Sequence, residues 1–269
     1  MVGQSHSRCV STVMSFRTSF PFDNQPVWSS FRKQPLEEQI RGLRDNATRQ
    51  ALVDAVKNAV YGRAIGAEAR PPDWEQFTIY DRPLPPYRSL GRLAAERGVH
   101  PIEVLIDEAL TNDLETLFMQ PLTSVSDADS IAMMRSPHTV MTFSDSGAHV
   151  GQIADASIQS YLIAYWHRER QVFSLPEAVE MITGRAARAW GFADRGVIKE
   201  GFAADLNIFD PQTFGPLVPE VVYDLPTGAR RLAQRSTGMK ATIVNGAVLI
   251  EDGQHTGALS GTLLRRKCH

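Results

Sequence analysis

The stretch TFSDSGAHVG (142–151) sets a single acid, Asp145, where a run of strand-forming residues stops. Val140, Met141, Thr142 and Phe143 carry the β-type pattern, and Ser144-Asp145-Ser146-Gly147 breaks it. In parallel α/β architectures the C-terminal ends of strands carry the active site, because the loops there converge on one mouth. An aspartate in that place can bind a metal or accept a proton from an attacking water. It can equally be a strand-end acid that hydrogen-bonds the next turn, which is common aspartate chemistry. His149 follows four residues later; such a residue can be a ligand, a hydrogen-bond partner of one or a substrate contact, and a lone histidine is more often none of these. Gly147 and Gly151 suit a backbone that must approach something closely.

Working outward, strands alternate with helices on both sides of this stretch. A strand near Glu115–Met119 precedes a helix near Ala128–Met134, and a strand at Thr139–Phe143 precedes helices near Ala156–Arg170 and Leu175–Trp190. That rhythm predicts parallel βα units. Upstream, Pro35 opens a helical stripe of Leu36, Ile40, Leu43, Ala47, Leu52, Val56 and Val60, interrupted near Asp45-Asn46. Residues 16–34 read as an ordered loop and 75–81 as a short strand. Ser89 caps a helix that stops at Gly98, and Pro101 opens another through Leu110. After Gly191 the texture changes to strands and turns. Asn245-Gly246 between two apolar runs is the strongest short-range hairpin signal in the chain. The expected organisation is an α/β portion over 1–192 and a β-rich portion over 193–269.

The chain has 269 residues, 43% of them hydrophobic and 22% charged, which is the composition of a globular protein with a large core. A formal charge of −2 gives no basic excess to attract nucleic acid or an anionic membrane. No apolar run is long enough for a membrane helix, and the first fifteen residues lack a secretory h-region, so a cytoplasmic protein is expected. Cys9 and Cys268 stand at opposite ends and indicate neither a disulfide framework nor a cysteine-rich zinc site. His138 sits at the wrong end of its strand for a mouth residue, His100 reads as a helix-entry residue, and His167 as solvent-facing. His255 and His269 belong to the tail. Arg185, Arg188 and Arg195 read as a solvated basic helix end, and Asp205 and Asp210 as turn residues. No phosphate loop, dinucleotide fingerprint or serine-hydrolase elbow occurs.

Taken in order, FSDSGAHVG, LPEAVEMITGRAARAWGFADRGVIKEGFAADLNIFDP and ATIVNGAVLIEDGQHTGALSGTLLRR resemble the C-terminal half of the N-acyl-D-amino-acid deacylases of the amidohydrolase superfamily. The order G-x-I-x-x-G-x-x-A-D-L (Gly196 to Leu206), then V-N-G and H-T-G, carries most of that resemblance. FPFDNQPVW, PLEEQIRGLRD and SLGRLAAERGVHPIEVLIDEAL fit in the expected order upstream.

The resemblance implies part of a (β/α)8 barrel followed by a segment of a composite β-sandwich. The implied reaction is hydrolysis of an N-acyl-D-amino acid by metal-activated water, with Zn2+ as the metal. It matches Asp145 to the last-strand carboxylate that moves the water's proton to the leaving amine and can also touch the metal. His149, Ser144 and Gly147 are weaker contacts beside it. The family's His-x-His pair lies on the first barrel strand, and no such pair exists here, so the expectation is a chain without the N-terminal metal-binding half and inactive alone. The ligand is then a small N-acyl amino acid, and the partner is the missing half or another chain. Two alternatives stay open: a non-catalytic stand-alone or subunit-like remnant, and an amidohydrolase for another amide, such as a cyclic one.

Overall fold

The computed structural model describes residues 2–61, 70–123, 125–153 and 155–264. It opens with β1 (Gly3–Ser5) and β2 (Ser11–Met14), followed by three short helices: α1 (Pro26–Arg32), α2 (Leu36–Arg44) and α3 (Asn46–Lys57). The expected loop over 16–34 therefore contains a helix. Pro26 starts it, and Trp28 and Phe31 bury its inner face. Asp45 explains the break between α2 and α3. Its extended backbone ends one helix, and its side chain accepts from the Thr48 N–H to cap the next. Val60 falls outside the stripe; it lies beyond α3 and is exposed.

Next come β3 (Thr78–Ile79), β4 (Arg88–Ser89), α4 (Leu90–Arg97), α5 (Pro101–Leu110) and β5 (Phe118–Pro121). Ser89 caps α4 and left-handed Gly98 ends it, while His100 and Glu103 form a reciprocal capping box at α5. These strands form one sheet in the order β2-β5-β3-β4 with antiparallel neighbours. The parallel βα unit expected from the 115–119 and 139–143 strands is thus corrected: β5 belongs to this antiparallel sheet and the 139–141 strand to a different one. β4 and β5 do run the same way across α4 and α5, but the β3–β4 hairpin leaves antiparallel β3 between them. An aromatic-rich core that includes Phe16, Phe20, Phe22, Trp28, Phe77 and Phe118 fills the space between this sheet and the helices. Its members all fall between Met14 and Phe118.

The second half begins with α6 (Asp127–Arg135) and β6 (Thr139–Met141). Helix α7 (Ile158–Tyr161) continues as a widened π-type segment, Leu162–Glu169, and is followed by α8 (Leu175–Ile182) and α9 (Gly184–Trp190). Strand β6 pairs in parallel with β1, the one parallel ladder among the described residues. After α9 the chain is strands and turns: β7 (Leu206–Phe209), β8 (Gly215–Pro216), β9 (Glu220–Val222), β10 (Arg231–Ala233), β11 (Ser236–Thr237), β12 (Met239–Val244), β13 (Ala247–Glu251) and β14 (Gln254–His255). A four-stranded antiparallel sheet, β14-β13-β12-β7, dominates. Asn245 and Gly246, at φ 47° and 80°, make the mirror-image turn that joins β12 to β13. This sheet reaches the helical core through Phe209 and Met239, which pack on the cluster of Ile158, Leu162, Trp166 and Phe214. The whole is an α/β arrangement of small sheets, none of which closes.

Candidate functional site

The parallel pair β1–β6 builds the corner that carries Asp145. Gly3, Gln4 and Ser5 stand opposite Thr139, Val140 and Met141, and the Phe143 N–H donates to the Ser5 carbonyl at 3.2 Å. Gln4 adds a side-chain bond from Nε2 to Thr142 Oγ1 at 3.0 Å. The two strands therefore end side by side, and His6 leaves one where Phe143 and Ser144 leave the other. The His6 and Phe143 rings meet edge to face, 6.0 Å between centroids.

Asp145 turns out of β6 with φ 54°, a left-handed conformation that aspartate tolerates better than most residues. Its backbone carbonyl closes a turn by accepting from the Ala148 N–H at 3.1 Å. Its carboxylate is half-buried and, among the described residues, takes no hydrogen bond or ion pair. The turn is thus held by backbone, and the acid itself is not spent on it. Ser144 and Ser146 bond to each other through their hydroxyls at 3.1 Å. His149 is exposed, and its carbonyl anchors the next turn by accepting from the Gln152 and Ile153 N–H groups. Open space surrounds Gly147, so nothing within this chain requires a glycine there.

His6 is the residue at this corner that sequence reading missed. Burial and the nearby Arg8 charge push its pKa down to about 4, against hydrogen bonds to the Ser144 and Arg8 backbones that raise it. Its Nδ1 accepts from the Arg8 N–H at 3.0 Å. Neutral imidazole is the form this environment favours. No local signal marks it, because Gly-Gln-Ser is a strand only by virtue of its distant partner.

Other candidates prove structural. His100 is the α5 cap, and burial with the Lys57 charge lowers its pKa against the pull of Glu103. His138 is exposed and contributes its carbonyl to Gly3, and His255 Nδ1 accepts from the Gly257 N–H. His167 is half-buried rather than solvent-facing, with Nδ1 3.0 Å from the Phe173 carbonyl. Of the three arginines read as a solvated helix end, Arg188 is exposed, whereas Arg185 and Arg195 are largely covered. Arg185 and Arg188 share Glu180, and Arg195 pairs with Asp194 and Asp205. Asp205 also accepts from the Asn245 N–H, so it ties β7 to the β12–β13 turn. Asp210 is a turn residue, bonded to the Gln212 N–H and the Thr213 hydroxyl. Cys9 is free and half-buried, while Cys268 and His269 lie outside the described residues.

Among the described residues no three His, Cys, Asp or Glu side chains converge to hold a metal ion. Zinc needs several such donors plus an open position, so Asp145 and the exposed His149 do not by themselves fit it. No helix among these residues is long and apolar enough to cross a membrane.

The pattern of the amidohydrolase family matches residues 11–250, and the chain belongs to that family. An N-acyl-D-aspartate deacylase of Alcaligenes xylosoxydans xylosoxydans is 30% identical over 172 residues, 63% of this chain and 28% of that protein. A D-aminoacylase of the same organism is 31% identical over 105 residues, 39% of this chain and 20% of that protein. Among solved structures, an N-acyl-D-glutamate deacylase from Bordetella bronchiseptica aligns at 22% identity and TM-score 0.39, over 81% of this chain and 46% of that one. The chain spans less than a third of the length of the curated relatives it matches.

Proposed function

We propose that this chain forms part of a metal-dependent hydrolase that cleaves the amide bond of N-acyl-D-amino acids, with Asp145 as the proton-transfer carboxylate. The observation that carries the reading is the uncommitted Asp145 carboxylate, held left-handed where parallel β6 ends, in a chain of the amidohydrolase family. A carboxylate so placed takes a proton from the water that attacks the amide carbon and returns it to the departing nitrogen. His6 keeps the ring of Phe143 and the Ser144 backbone in place behind it. On this reading the partial barrel is the α/β portion over 1–192, the β-rich portion over 193–269 belongs to a sandwich, and other polypeptide supplies the zinc ligands.

Exposed apolar side chains among the described residues support that last point. Ile198, Leu259 and Leu263 stand 88%, 91% and 79% exposed. Two measurements test the reading. The 269-residue chain alone should hold no stoichiometric zinc and turn over no N-acetyl-D-amino acid; one equivalent of zinc with turnover would refute the external ligands. In a form carrying the metal-binding half, Asp145→Asn should lower hydrolysis by about two to four orders of magnitude with the fold intact. Undiminished turnover would remove Asp145 from the chemistry.

A further inference from the structure

Ser7 and Arg8, which follow His6 in the chain, begin the wall of a cavity of about 320 Å³. That volume suits a small ligand. Much of the lining is flat and apolar: Tyr87, Tyr161, Tyr165, Trp166, Met119 and Pro121. The rings support one another. Tyr161 and Tyr165 have centroids 5.1 Å apart, and Tyr165 meets Trp166 edge to face at 4.9 Å. The Arg8 guanidinium lies 5.1 Å from the Tyr161 centroid and 5.8 Å from that of Tyr80. The wall is anchored to the corner, since Trp166 Nε1 donates to the Ser7 carbonyl at 2.5 Å and Ser7 Oγ donates to the Ile158 carbonyl at 2.8 Å. Burial pushes the Tyr161 phenol above the ordinary range, so its hydroxyl stays protonated.

A slot of ring edges, ring faces and a guanidinium plane favours a flat π-system over an aliphatic chain of equal area. Edge-to-face contacts and a cation on the ring face add to plain apolar burial. The geometry points to a site for the aromatic ring of a small N-acylated amino acid, which narrows the substrate class of the proposed hydrolase to compounds bearing an aryl group. The chemistry of that substrate rests on the hydrolase reading; the ring preference does not. The ring can come from the amino-acid side chain or from the acyl group, and the two are separable.

Calorimetric titration of the full chain with N-acetyl-D-phenylalanine, N-phenylacetyl-D-alanine and N-acetyl-D-alanine tests the site. One of the two aryl compounds should bind about tenfold or more tighter than N-acetyl-D-alanine, and which one does so identifies the source of the ring. Tyr165→Ala, at a half-buried wall position, should erase the preference, and Tyr165→Phe should keep it. Gln76→Trp, at an exposed position of the lining, should block binding without touching the core. Equal affinity for all three compounds, no saturable binding, or a preference that survives Gln76→Trp would overturn the proposal. Ring-selective binding by a protein whose Asp145→Asn form hydrolyses normally would leave this site standing and refute the hydrolytic role of Asp145 instead.

Discussion

Replacing Gly238 by alanine should be among the costliest single-methyl additions the fold can receive. Gly238 has φ 77°, and a Cβ there would lie 2.4 Å from the Phe214 nitrogen, 2.6 Å from its Cα and 2.7 Å from the Thr213 carbonyl carbon. Ordinary carbon contacts sit near 3.5–4.0 Å, so the 213–214 backbone must retreat by about 1 Å. That backbone is fixed on both sides: the Phe214 N–H donates to Asp210, and the Asp210 N–H donates to the Gly238 carbonyl. Phe214 is itself part of the helical core. The left-handed conformation costs alanine about 1–2 kcal/mol, and forced repacking adds about 1–3.

Gly253 supplies the control. Its φ is 79°, yet nothing lies within 4 Å of its Cβ position, so Gly253→Ala carries the conformational cost alone. Urea unfolding of both variants should therefore separate them by about 2 kcal/mol, close to 1 M in midpoint for a slope of about 2–3 kcal/mol/M. Equal losses at the two sites would refute the claim that the 213–214 backbone dictates glycine at 238.

Two further outcomes follow from the same reasoning. Trp28→Phe removes the indole donor to the buried Leu52 carbonyl (2.9 Å) and should cost about 1–3 kcal/mol by urea midpoint, whereas an unchanged midpoint would mean that bond contributes nothing. His6 carries a pH prediction. Its folded pKa of about 4 lies below the ordinary 6.5, so between those values the unfolded chain binds more protons and stability must rise with pH. The His6 contribution is full above about 6.5 and is lost as pH falls toward 4; His6→Gln should flatten that part of the profile, and an unchanged slope would count against the burial argument.

The features legible in advance were those written locally. Pro101 opens α5 and His100 caps it, Ser89 and Gly98 bound α4, and Asn245-Gly246 turns the last hairpin, because each acts within a few residues of itself. Asp145 could be located at a strand end, but the state of its carboxylate could not, since that depends on what fails to reach it. Strands β1 and β4 were illegible for a different reason: Gly-Gln-Ser and Arg-Ser have no strand propensity of their own. Pairing makes them strands, β1 with β6 far along the chain and β4 with β3 in a local hairpin, and the missed His6 traces to the first.

The β1–β6 ladder also makes the Asp145 corner a long-range feature of the chain. It joins Gly3 to Thr139, 136 positions further on, whereas the aromatic core between Met14 and Phe118 can collapse from contacts within that span. Closing the longer loop costs entropy that only later contacts repay. The corner that holds Asp145 therefore depends on a pairing remote in sequence, and its geometry is set by the β1 segment as much as by the local turn.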